Sequence, residues 1–253
     1  MKGMLVVLRN DVGDILRGKS FLIVASVIAA VTVAAAVGIP IALRSWLVSG
    51  PPWDEAKPLL ELFIGLAANY VPLIFLFICV ATWATDPIAK EKAKGPIESL
   101  LATPLTARGV WIGKSLAIFL PAYVMGLSAT LIVILALNLA AILPTTGHFV
   151  LPLPAAFTSF LFLPLFLFAL VLLGIIFSLI TNPVIGQTVI IFVGVVLMQV
   201  VGQVGGRFLW LLTSWDYALY NLAGAALLGI IAFYLSRSLT KERIILSSKG
   251  KWA

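Results

Sequence analysis

Six runs of apolar side chains divide the chain, at about 21–43, 60–83, 115–143, 156–180, 184–206 and 217–235. Even the shortest is long enough, at about 1.5 Å of rise per residue, to cross most of a hydrocarbon layer about 30 Å thick. The pattern predicts an all-α fold: a polytopic membrane protein whose residues 1–253 form one transmembrane domain of six helices. Pro121 inside the third run predicts a tilted, kinked or partly interfacial course there. Connectors on one side are short. Residues 44–59 hold Pro51-Pro52, residues 144–155 hold Pro144, Pro152 and Pro154, and neither has room for a folded domain. Thr181-Asn182-Pro183 reads as the helix stop between the fourth and fifth runs.

Ahead of the first run, Leu5, Leu8, Val12 and Ile15 recur at helical spacing, with Asn10, Asp14 and Arg17 opposite. This predicts an N-terminal elbow helix over residues 1–20, lying in the interface of the inner leaflet. Arg9 falls near the apolar side, where its stem can snorkel. Ala34-Ala35-Ala36 resembles a signal-cleavage site. The polar lead and the apolar run before and around it are both too long for a typical signal, so the first run is expected to stay as a span.

Composition sharpens the class. Hydrophobic residues make up 62% and charged residues 11%, against about half and about a quarter in soluble domains. Lipid, not a protein core, must take up that excess. The net charge of +7 does not point to nucleic acid, because Lys and Arg sit between apolar runs rather than forming a stripe. Fourteen of the 17 basic residues fall in the N-terminus, the 84–114 connector and the 236–253 tail. Only Arg44, Lys57 and Arg207 fall on the other side. The positive-inside rule makes the fourteen-residue side cytoplasmic, with both termini there and the chain in the cell (plasma or inner) membrane. Trp46, Trp53, Trp83, Trp111, Trp210 and Trp215 lie near run ends, where indoles favour the interface. The lone Cys79 and the lone His148 offer neither an internal disulfide nor a metal set.

The connector from Thr85 to Ser115 carries the most specific chemistry. Gly95 breaks the preceding turn, and Pro96 suits the first position of a new helix. Glu98 then lies in the first turn, where the helix dipole favours an anion. Ile97, Leu100 and Leu101 make one apolar face, and Thr103-Pro104 ends the helix. Thr106 is placed to cap a second helix leading into the third span.

The run from Glu91-Lys92 through Gly95, Glu98, Leu100, Leu101 and Pro104, followed by Gly113-Lys114, resembles the permease subunits of type-2 ABC exporters. A second stretch, Gly174 to Gln187 (GIIFSLITNPVIGQ), is similar to that family's glycine–serine pattern across spans four and five. The resemblance implies that the short loop helix is a coupling helix docking in a separate ABC ATP-binding subunit. The coupling residues are then Glu91, Gly95, Pro96, Ile97, Glu98, Leu100, Leu101, Thr103 and Pro104. It also implies pairing with a second copy or a homologous permease, alongside membrane lipid. Two features depart from the family: Pro96 stands where threonine is common, and the outer segment 207–216 is short for an extended gate.

The chain lacks an ATPase apparatus of its own. Gly109-Val-Trp-Ile-Gly113-Lys114-Ser115 has three residues between its glycines where a P-loop needs four. ATP and Mg are therefore expected in the partner subunit, with no cofactor, metal or catalytic residue in this chain. Few ionisable residues lie inside the runs, which argues against a proton-driven transporter. Asn69, Tyr70, Asn138, Gln187, Gln199 and Gln203 are polar side chains within them. Each suits either lining a path or bonding across a helix interface. The alternatives are a membrane-embedded enzyme, which needs a polar catalytic pair not visible here, and a non-transporting structural subunit of a membrane complex.

Overall fold

The computed structural model describes residues 2–50, 52–83, 106–180, 184–194, 196 and 209–248. Among the described residues helix dominates and no strand occurs. Helix α1 covers Lys2–Arg17 and α2 covers Lys19–Val48, with Gly18 making the bend between them. α3 is Trp53–Trp83, α4 is Ala107–Thr146 and α5 is Leu153–Ile180. A shorter apolar helix, α6, is Val184–Gly194. α7 is Trp215–Leu235 and α8 is Lys241–Ser248. Helices α2, α3, α4, α5 and α7 are long and apolar enough to cross a membrane. The protein is thus an α-helical, multi-pass membrane protein. α6 covers the start of the fifth predicted run; apart from Val196, the rest of that run lies outside the described residues, as does Thr181-Asn182-Pro183.

The helices run further than the apolar runs do. α2 continues past Arg44 to Val48, and α3 starts at Trp53, so the 44–59 connector shrinks to the turn after Val48. Asp54 and Glu55 fill the first turn of α3, where the dipole favours them. Similarly, α4 extends to Thr146 and α5 begins at Leu153. Gly147, at φ 72°, closes α4 with a left-handed cap whose N–H donates to the Leu143 carbonyl at 3.0 Å.

α4 is continuous through Pro121; its irregularity comes later. Leu137–Ile142 form a π turn, and a second π turn occupies Thr158–Phe162 in α5. Each lies just ahead of a proline, Pro144 and Pro164. A proline withholds the N–H that its i−4 carbonyl would accept and crowds that carbonyl; widening the preceding turn relieves the crowding. The Phe160 carbonyl, four residues before Pro164, accepts instead from the Tyr123 hydroxyl of α4 at 3.1 Å.

Arg17, Lys19, Arg108, Arg237, Lys241 and Arg243 gather where α2 and α4 begin and where α3, α5 and α7 finish. This is called the basic end below. A large core fills that half of the bundle, joining Ile15, Trp83, Val110, Ile176, Ala232 and Ile244 from six helices. A second core, including Leu43, Leu60, Ile64, Leu137, Ile142 and Val150, fills the opposite half between α2, α3 and α4.

Candidate functional site

The 84–105 connector leaves and rejoins the bundle at the basic end. Glu91, Gly95, Pro96, Ile97, Glu98, Leu100, Leu101, Thr103 and Pro104 all lie outside the described residues. Its two anchor points are described. Trp83, the last residue of α3, is 2% exposed and stacks obliquely on Phe21 at 5.5 Å between ring centres. On the other side, Thr106 sits in extended geometry, and its hydroxyl accepts from the Gly109 N–H at 3.1 Å. Thr106 is the N-cap that the sequence predicts for this helix.

The first turns of α4 are held from two directions. The Trp111 indole N–H donates to the Leu172 carbonyl of α5 at 2.9 Å. On the opposite flank, α1 lies against α4 so closely that a Cβ on Gly113 would sit 3.1 Å from the Met4 carbonyl oxygen and from Val7. The next residue, Lys114, is buried, and its ammonium meets the Asp11 carboxylate of α1 at 3.1 Å. Lys114 belongs by sequence to the set of connector cations; here it is part of the bundle wall. An isolated charge there would carry a large desolvation cost, which the paired carboxylate offsets.

α1 is helical as its spacing predicts, yet the face it packs with is rotated. Val7, Asp11 and Ile15 turn inward. Leu5 and Leu16 stay exposed, while Leu8 and Val12 are half-buried. Helical periodicity defines one broad apolar arc, and only tertiary packing divides it into a flank against α4 and an open flank. Sequence reasoning singles out Lys114 but gives it no partner, and it passes over Asp11. Nothing in a single sequence joins a carboxylate and an ammonium 103 positions apart.

Among the described residues, the polar side chains picked out within the spans do not converge. Asn138, fully buried in the first π turn, accepts from the Val150 N–H at 2.8 Å and donates to the Val150 carbonyl at 3.0 Å. It clamps the α4–α5 loop in the manner of one rung of a sheet, which is a packing role. Asn69 donates to the Gly65 carbonyl at 2.7 Å and to the Leu212 carbonyl at 3.3 Å. It thereby fixes the 3-10 turn Leu209–Thr213 against α3; its own carbonyl oxygen has no partner among the described residues. Gln187, near the basic end, donates to the Ala81 carbonyl at 3.3 Å. Gln199 and Gln203 lie outside the described residues.

Tyr70 lines a cavity. The space, about 780 Å³, lies between α2, α3 and α4 in the half away from the basic end. Its walls include Ile39, Leu43, Phe63, Ala67, Val133 and Leu137. Among the described residues, no three His, Cys, Asp or Glu side chains gather to hold a metal ion. No family model, no curated protein and no solved structure matches this chain.

Proposed function

We propose that this chain is the membrane-spanning permease subunit of an ATP-driven exporter of the ABC-2 type, with six spans and both termini in the cytoplasm. The observation that carries the reading is the sequence of the 85–115 segment, where glycine, prolines and an early glutamate frame a stretch whose spacing predicts a short apolar helix. A segment so punctuated suits a docking element better than a solvated connector. Its anchors support a mechanical role. Trp83 and Ala107, the residue after the Thr106 cap, enter one core that also holds α1 and α5, so force applied to the segment reaches several spans together.

ATP binds and is hydrolysed, with Mg, in a separate ATP-binding subunit. Closure of two such subunits moves the coupling helices as levers and switches access through the membrane. The free energy enters as differential contact with two conformations, not as chemistry in this chain. A second copy, or a homologous permease, completes the path. α2 and α7 each have only 17% of their span window buried, leaving apolar flanks for that partner and for lipid.

The test addresses the coupling face. Burying one leucine is worth about 1.5–3 kcal/mol. Leu100→Asp removes that contact from the partner's groove, and Glu98→Lys opposes the helix dipole at its N-terminus. Both variants should insert normally and lose co-purification with the ATP-binding subunit and substrate-stimulated hydrolysis. Lys249→Glu, in the tail, should retain both. If Leu100→Asp and Glu98→Lys keep assembly and stimulated hydrolysis intact, the segment is a connector and the exporter reading fails.

A further inference from the structure

We propose that the cavity between α2, α3 and α4 is a binding site for one acyl chain of a zwitterionic phospholipid, entered sideways from the leaflet away from the basic end. The proposal requires only that these helices cross a bilayer, and it stands apart from the exporter reading.

The lining decides the chemical class. Among its twelve residues, only the Tyr70 hydroxyl and the Trp46 indole bring polar side-chain atoms. Water does not fill an apolar space of this kind, because it finds too few partners. The volume of about 780 Å³ is in the range of specific small-ligand sites. Leaving so large a space empty would forfeit dispersion contacts along every wall. The side-chain surface at its mouth is open: Ile39, Leu59 and Phe63 are 45%, 43% and 47% exposed. Around a transmembrane helix, the apolar medium at such a mouth is lipid.

Shape narrows the class further. On α3 the lining runs from Leu59 to Val71, about 18 Å along the helix axis at 1.5 Å per residue. That is close to half of a hydrocarbon core about 30 Å thick, one leaflet deep. α2 runs the other way, so its Trp46 lies at the Leu59 level and its Ile39 at the deeper level. The space is a slot along the membrane normal, with an indole at the headgroup level and a tyrosine near the floor. Such a slot fits an extended chain better than a compact ring system.

Charge at the shallow end selects the headgroup. Arg44 follows Leu43 on α2, and Lys57 precedes Leu59 on α3. Asp54, Glu55 and Glu61 share the same end of α3. Both signs of charge therefore stand at headgroup level, as a phosphate paired with an ammonium requires. A headgroup of single negative charge would meet the three carboxylates.

The experiment uses the full chain in nanodiscs of phosphatidylethanolamine and phosphatidylglycerol, with a trace of phosphatidylethanolamine carrying a diazirine midway along one chain. After illumination, labelled peptides are mapped by mass spectrometry. Labelling at Phe63, Ala67 and Tyr70 should exceed that at Val31 and Ile230, which lie on other exposed faces, by about tenfold. Ala42→Phe, on the cavity wall, should reduce cavity labelling by a similar factor and leave Val31 unchanged. Diazirine-bearing phosphatidylglycerol should label the cavity less than the ethanolamine probe does. Equal labelling of cavity and control positions in the unaltered chain would overturn the proposal, whatever the folding of the variant. Preferential labelling by the glycerol probe would overturn the choice of headgroup.

Discussion

At the residue scale, the Asp11–Lys114 pair concentrates the most electrostatic consequence in the fewest atoms. The two side chains are 15% and 2% exposed, so the carboxylate keeps a margin of water and the ammonium almost none. Breaking a buried pair by removing one partner costs about 3–5 kcal/mol. Asp11→Leu removes a carboxylate from beside the more deeply buried group, and should destabilise more than Lys114→Met, after which Asp11 can rehydrate. The double change Asp11→Leu with Lys114→Met should recover most of the loss. Thermal unfolding in detergent, with protease susceptibility of α1 as the local readout, checks the order. A double variant as unstable as Asp11→Leu would show that the charges do not act as a pair. Thr106 was legible as a cap because its chemistry is local: a hydroxyl followed three positions later by an amide in need of an acceptor. Asn138 was legible as polar and intramembrane but not as a clamp, since its partner is the main chain of Val150 and main-chain groups leave no trace in residue identity.

At the element scale, α5 and α6 show how close two helices come when side chains are absent. A Cβ on Gly174 would run into Ile190, and one on Gly186 into the Ser178 hydroxyl and the Gly174 carbonyl. Small residues at membrane helix interfaces allow that approach. Gly186→Val should therefore force the helices apart, at a cost of about 1–3 kcal/mol or more. The expected result is a lower melting temperature and a smaller monodisperse yield. Gly38→Val, where a Cβ meets nothing within 4 Å, is the matched control and should behave like the unaltered protein. Helix existence was legible from apolar runs because the bilayer imposes them. Helix ends were not, because hydropathy marks the lipid-immersed band while the helix continues past it, as α3 does through Asp54, Glu55 and Lys57. The π turns were missed for a related reason. A proline announces a lost hydrogen bond, but whether the chain answers by kinking, as expected at Pro121, or by widening a turn, as before Pro144 and Pro164, depends on what the neighbouring helix offers. Near Pro164 that offer is the Tyr123 hydroxyl.

At the scale of the whole molecule, charge sets the proposed orientation. Cysteines placed at Lys94 and Lys249 should react with an impermeant thiol reagent only from the cytoplasmic side, after Cys79 has been replaced. Labelling of either in intact cells would invert or break the six-span arrangement. Of the six apolar runs, five are helices long and apolar enough to cross a membrane, and the fifth run is described only through α6 and Val196. The cavity had no such signature. Tyr70 apart, its walls come from three helices whose lining residues read individually as ordinary lipid-facing or core positions, and a hollow is a property of how elements fail to meet.

The ion pair between α1 and α4 also sets a schedule. Asp11 and Lys114 are 103 positions apart, and translation at about 5–20 residues per second separates their synthesis by roughly 5–20 s. During that interval the nascent N-terminal helix has no cationic partner and no glycine seat at position 113. It must wait while α2 and α3 are made. α1 is thus made before its seat, and docks only once the start of α4 has appeared. A chain stopped before Lys114 would therefore leave α1 without the seat that Gly113 and Lys114 give it.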